Sequence, residues 1–212
     1  MDPYTTPDPS RCALLTIDVQ NDFTLPGAPA EIPGTYAAVP NMVRLCEAFR
    51  AAQRPIVHMV RLYRADGSNV DACRRGAVEQ GWSVARPGST GADPVAELNA
   101  APLDAERLLR SELQQVRNLE WIIYKPRWGA FYQTTLERLL KELDVNTLAV
   151  CGCNFPNCPR ATIYEASERD LRVMLVHDAL SGVYDQGRRE LLNIGVHIAS
   201  AAECLAWLAG RC

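Results

Sequence analysis

The sequence predicts a three-layer α/β fold, with a six-stranded parallel sheet covered by helices on both faces. Three observations predict it. Short apolar runs alternate with amphipathic ones along the chain, the order expected of strands alternating with helices. The short runs are continuously apolar rather than alternating in polarity, so each strand is buried on both sides, as in a parallel sheet. The 212 residues contain no repeat, low-complexity tract or long linker, which fits a single domain over 1–212.

The elements follow in order. Ala13–Asp18 (ALLTID) reads as a buried strand. Pro40 opens a helix that runs to Ala52, with Val43, Leu45, Cys46 and Phe49 as its apolar members. Ile56–Leu62 is the second strand. Residues 63–118 are turn-rich and then carry a predicted helix over Leu103–Val116, with Leu108, Leu109 and Leu113 on one stripe. Trp121–Tyr124 is the third strand and Phe131–Leu143 a helix; Thr147–Gly152 is the fourth strand and Pro159–Asp170 a helix. Val173–Val176, a helix near Gln186–Ile194, the short strand Val196–Ala199 and a helix over Ala201–Ala209 complete the chain.

Composition narrows the function. With 22 Lys plus Arg against 25 Asp plus Glu, the formal charge is -3, which argues against a nucleic-acid partner. No apolar run approaches the roughly 20 residues of a membrane helix, so no membrane association is expected. The acidic, proline-rich start is unlike a signal peptide. Eight cysteines, mostly inside apolar segments, suit reduced thiols in a cytoplasmic protein better than a disulfide framework. Of the 22 basic residues only Lys125 and Lys141 are lysines. Under such a bias a retained lysine suggests a position where arginine cannot serve.

Ligands of parallel sheets bind at the carboxyl ends of strands, so chemistry is sought there. Asp18 ends the first strand, Lys125 follows the third, and Cys158 lies in the loop after the fourth. Pro159 suits the first helical position, which makes Cys158 the N-cap, where the helix dipole would lower its pKa. The polar stretch NFPNCPR sets it apart from Cys12, Cys46, Cys73, Cys151 and Cys204, which read as buried structural cysteines; Cys212 gives no reading. A carboxylate at the end of a buried strand needs a partner, and Lys125 is the natural one for Asp18. An acid, an amine and a thiol at one sheet edge form a nucleophilic site. The spacing of Cys151, Cys153 and Cys158 makes a poor zinc site, and His58, His177 and His197 read as core or edge residues, so no metal is expected.

These segments together resemble the isochorismatase-like cysteine hydrolases. The matching pieces are ALLTIDVQNDF (13–23), IVHMVR (56–61), YKPRWGAFYQTTLERLL (124–140) and VCGCNFPNCPRATIYEASERDLRVMLVHDA (150–179). The 63–118 segment falls outside the match and is expected to line the substrate mouth. The resemblance implies a Rossmann-like sheet and the triad Asp18, Lys125 and Cys158. It also implies a cis peptide at Cys153–Asn154, with the N–H groups of Asn154 and Cys158 forming an oxyanion hole. Phe23, Trp128 and Phe131 would wall the pocket, with plain core packing the alternative. Arg61 and Tyr63 could hold a substrate carboxylate or carbonyl, or Arg61 could form a surface ion pair. Nicotinamidases resemble this chain at the triad but carry an Asp-x-His metal site after strand two, where HMVRLYRADGSNVD stands here. No cofactor is expected.

The expected function is cleavage of a C–N bond in a small-molecule amide, urea or lactam through a Cys158 thioester. A vinyl-ether hydrolase of the isochorismatase kind and a non-enzymatic thiol switch that keeps the fold are the alternatives. Because such proteins tend to associate, a homo-oligomer is expected.

Overall fold

The computed structural model describes residues 2–210. Its strands are β1 (Cys12–Ile17), β2 (Ile56–Val60), β3 (Gln114–Arg117), β4 (Glu120–Tyr124), β5 (Thr147–Gly152), β6 (Arg172–Leu180) and β7 (His197–Ala199). They form one sheet in the order β3-β4-β2-β1-β5-β6-β7. All neighbours pair in parallel except β3 and β4. The helices are α1 (Asn21–Thr24), α2 (Thr35–Ala51), α3 (Ala72–Glu79), α4 (Ala105–Leu109), α5 (Leu136–Glu142), α6 (Cys158–Ser167), α7 (Asp185–Asn193) and α8 (Ala201–Leu208).

Continuous apolar strands do what a sheet with two covered faces requires. Along β1, Ala13, Leu15 and Ile17 join one core with Leu136, Leu139, Leu140, Ile163 and Leu191 of α5, α6 and α7. Cys12 and Leu14 point the other way and join Met42, Leu45 and Phe49 of α2 and Cys204 of α8. β5 splits likewise, with Leu148 and Val150 on the first face and Ala149 and Cys151 on the second. Among the described residues no helix is long and apolar enough to cross a membrane.

The class is as predicted, but the sheet has seven strands rather than six. The predicted helix over Leu103–Val116 accounts for the difference. It stops after one turn at Leu109, and Ser111 takes a left-handed φ of 61°. Gln114 then turns its side chain back to accept from Asp104 N (2.9 Å) and donate to Pro102 O (2.8 Å). That leaves Gln114–Arg117 free to pair antiparallel with β4 at the sheet edge. Pro40 does not open α2 either. The helix starts at Thr35, after Gly34 with φ 83°, and carries Pro40 inside on an exposed position. The Phe131–Leu143 helix begins only at Leu136.

Two backbone features shape the carboxyl edge of the sheet. Asp18 has φ 54°, a left-handed turn that takes the chain out of β1 immediately after its last residue. β5 ends on Gly152, φ 120°, opposite Ile17. A Cβ at 152 would lie 2.2 Å from Ile17 O, so only glycine lets the two strand ends close this tightly.

Candidate active site

β1 is where the strand order reverses direction, with β2 on one side and β5 on the other. Its carboxyl end is therefore the crevice where ligands of such sheets bind. Four neighbouring strand ends deliver residues to it: Lys125 after β4, Arg61 after β2, Asp18 after β1 and the 153–158 loop after β5. Backbone hydrogen bonds hold the first three in register. Asp18 N donates to Met59 O and Lys125 N to Val60 O, each at 2.9 Å. Gln20 clamps the end of β2, accepting from Arg61 N (2.7 Å) and donating to Arg61 O (2.8 Å).

The three residues singled out at the strand ends meet. Lys125 Nζ donates to Asp18 Oδ2 at 2.9 Å and to Arg127 O at 3.3 Å. The lysine is 0% exposed and the aspartate 4%. Cys158, 5% exposed, lies in the same buried group and interacts with the Asp18 carboxylate. Asp18 Oδ1 has no other protein partner and lacks a donor at full hydrogen-bond geometry. Cys158 is the first residue of α6 and Asn157 the cap, so the helix starts one residue earlier than predicted. Thr162 ties this first turn down, donating to Cys158 O (2.8 Å) and accepting from Ala130 N (3.1 Å).

The electrostatics differ from the sequence expectation. Burial pushes the Cys158 thiol up to about 12, and the Asp18 charge and its hydrogen bond add to this. Lys125 and Arg61 pull the other way and are outweighed. Burial thus works against the thiolate that a helix N-terminus would favour. Desolvation is a tertiary effect and here exceeds the local dipole. Burial likewise holds Cys153 well above the ordinary range; its thiol donates to Asp18 O at 3.0 Å. Cys12, Cys46, Cys151 and Cys204 are buried as expected, whereas Cys73 is exposed on α3.

The Cys153–Asn154 bond is cis, as the resemblance implied. In this loop Phe155 N donates to Ser181 O (2.8 Å) and Asn157 N to Asn154 O (3.0 Å). The amides of Asn154 and Cys158 are not used in such bonds.

Beside the triad lies a second charged group. Arg61, 1% exposed, forms an ion pair with Asp71 and donates to Tyr63 Oη at 2.9 Å. It is therefore no surface ion pair. Burial opposes its charge, but Tyr63, Asp18, Asp71 and Cys158 around it raise its pKa on balance. Tyr63 is pushed up to about 12, by burial above all, and its hydroxyl donates to Asp71 Oδ2 at 3.2 Å. Trp128 is half-buried with Arg61 5.9 Å from its ring centre. Phe23 packs with Tyr63 and Cys153 in a small cluster. Phe131 is placed differently. It belongs to the large core, with Arg169 4.7 Å from its ring centre and its amide bound by Glu165. Sequence reasoning missed Asp71 and Arg74, both from the 63–118 segment. Once Arg61 is known to be buried a counterion is required nearby, but nothing in the local sequence singles out Asp71 as that partner. Among the described residues no group of three or more His, Cys, Asp or Glu is arranged to hold a metal ion.

The protein-family model of the Isochorismatase domain matches residues 12–203, and the chain belongs to that family. A protein of Arabidopsis thaliana named "Probable inactive nicotinamidase" is 30% identical over 189 residues, covering 87% of this chain and 89% of that one. An N-carbamoylsarcosine amidase of Arthrobacter is 29% identical over 172 residues; the match covers 81% of this chain but only 60% of the amidase. Among solved structures, an isochorismatase family protein of Desulfovibrio vulgaris superposes with a TM-score of 0.78 at 32% identity, covering 94% of this chain and 98% of that one.

Proposed function

We propose that the chain is a hydrolase of small-molecule amides acting through a Cys158 thioester. The observation that carries this reading is the buried Lys125–Asp18 contact of 2.9 Å, which uses one carboxylate oxygen and leaves the other for the thiol. Asp18 takes the thiol proton as sulfur attacks the carbonyl carbon. A thiol with a pKa near 12 requires such a base, because it supplies almost no thiolate by itself at neutral pH. Lys125 orients the carboxylate and offsets the charge that develops beside it. The Asn154 and Cys158 amides would hold the oxyanion, a contribution of about 3–4 kcal/mol per donor in other enzymes. Asp18 then returns the proton to the leaving amine and activates water against the thioester. Amidases among the relatives support carbonyl chemistry, while another relative is named a probable inactive nicotinamidase. A thiol switch is the weaker reading, because burial and the raised pKa both make Cys158 a poor target for oxidants. Acid quenching during turnover of primary amides, ureas and lactams, followed by intact-mass analysis, should show an acyl adduct that maps to Cys158. Amine release with no adduct in wild type and full activity in Cys158→Ala would overturn the mechanism.

A further inference from the structure

Arg61 is more deeply buried than its partners can account for. Its Nη2 serves both Asp71 and Tyr63. Its Nε and Nη1 have no hydrogen-bond partner in the protein. A buried guanidinium with unused donors is costly, and proteins retain such groups where a ligand completes them. Arg61 leaves β2 beside the end of β1, where Asp18 N donates to Met59 O at 2.9 Å, so its strand end adjoins the one that carries the acid, and its charge acts on both Asp18 and Cys158.

A second guanidinium stands beside it. Arg74, half-buried on α3, donates from Nη1 to Tyr63 Oη at 2.5 Å. Tyr63 Oη thus accepts from both arginines. Trp128 also joins them, with Arg74 4.7 Å and Arg61 5.9 Å from its ring centre. Arg74 also acts electrostatically on Cys158. Arg61 has Asp71 and Lys125 has Asp18, but Arg74 has no carboxylate partner among the described residues. The cluster therefore carries one uncompensated positive charge, and Arg74 stands where the segment 63–118 meets the site.

We propose that Arg61 and Arg74 form a carboxylate-binding subsite next to Cys158, so that the substrate is a small amide or carbamoyl compound bearing an ionised carboxylate. This deepens the amidase reading and rests on it. A planar carboxylate suits guanidinium donors, and Trp128 would cover the flat face of a short substrate. Arg74 is the specificity residue of the pair, because it comes from the segment that lies outside the family motifs.

The test separates binding from turnover. Titration calorimetry on Cys158→Ala would compare oxamate, malonamate, succinamate and N-carbamoylglycine with the corresponding neutral diamides or amides. At least one acid should bind about tenfold or more tightly than its neutral counterpart, and added salt should reduce that advantage. Arg74→Gln, at a half-exposed position with no ion pair to break, should erase the advantage. Arg61→Lys should reduce it while the thermal midpoint reports whether the fold survives. Equal affinity for acids and neutral amides across the series, or an advantage untouched by Arg74→Gln, would overturn the subsite. If wild type hydrolyses neutral amides as readily as acids, the subsite falls and the amidase reading stands. If the acids bind selectively but no amide is ever cleaved, the subsite stands and the amidase reading falls.

Discussion

One strand, β4, carries a buried charged network at each end, and the two are built differently. At its amino end Glu120, 1% exposed, accepts from Arg50 Nε (2.9 Å) and Nη2 (2.8 Å) and contacts His58 Nε2 at 3.0 Å. The other ring nitrogen of His58 contacts Thr16 Oγ1 at 2.8 Å. Every side-chain polar atom of Glu120 and His58 is used. At the carboxyl end Lys125 and Asp18 pair beside Arg61 and Asp71, and there Asp18 Oδ1, Arg61 Nε, Arg61 Nη1 and Asp71 Oδ1 are all without a full partner. Apart from Thr24 Oγ1, these are all the buried side-chain atoms of that kind among the described residues. A fully paired buried charge fixes structure; a half-paired one is held ready for something that is not part of the fold.

The sharpest break between the two ends is in turnover. Asp18→Asn and Cys158→Ala should each lower kcat by about a thousandfold or more, and the double variant little further, since members of one catalytic unit are not additive. The thermal midpoint of Cys158→Ala should stay near that of wild type, whereas Asp18→Asn leaves the buried Lys125 ammonium without its carboxylate and should lose stability as well as turnover. A large loss of stability in Cys158→Ala would put that residue in the same class as Glu120.

Glu120→Ala should do the reverse. Removing one member of a buried pair costs about 3–5 kcal/mol, read as a fall in the denaturation midpoint, while the folded fraction keeps its kcat. The pH dependence follows from the sign of the shift. Burial alone would raise the Glu120 pKa, but hydrogen bonds from Arg50 and His58 take it from 4.5 down to about 2. A depressed carboxyl contributes stability above its unfolded value and loses it on acidification. The gap between wild type and Glu120→Ala should therefore be constant above pH 4.5 and close as pH falls toward 2. A gap that persists at pH 2 would show that the paired charge is not what stabilises this end.

The smallest effect concerns thiol labelling. At neutral pH iodoacetamide should modify the exposed Cys73 first, with Cys158 slow and accelerating as pH rises toward 12. Rapid labelling of Cys158 at pH 7, read by peptide mapping, would show that the helix terminus outweighs burial after all.

What the sequence revealed divides along the same line. Asp18, Lys125 and Cys158 were legible because each directly follows a strand or a strand-to-helix loop, and strand ends in a parallel sheet converge by topology alone. The core cysteines were legible from their apolar neighbours, but Cys73 was not, because only the amphipathic placement of α3 turns it outward. β3 was obscured because the leucines of 103–116 have helical spacing, and the competing signals are a left-handed Ser111 and pairing with a strand that comes later in the chain. Arg74 and Asp71 depend on how the 63–118 segment folds back onto β2, which no local pattern encodes. The direction of the Cys158 shift was hidden for the same reason, since desolvation belongs to the assembled site.

Gly152 bears on how such a chain can diverge. With Ile17 O 2.2 Å from where its Cβ would be, the spacing between the ends of β1 and β5 is fixed by the absence of a methyl group. The acid leaves one of those ends and the nucleophile's loop leaves the other, so their separation cannot be adjusted in small steps over evolutionary time. Arginines and aromatics in the 63–118 segment have no such constraint. Inheritance in this fold is thus rigid along the sheet and permissive at the mouth, and new specificities would be sampled by changing what approaches the sulfur rather than how the sulfur meets its base.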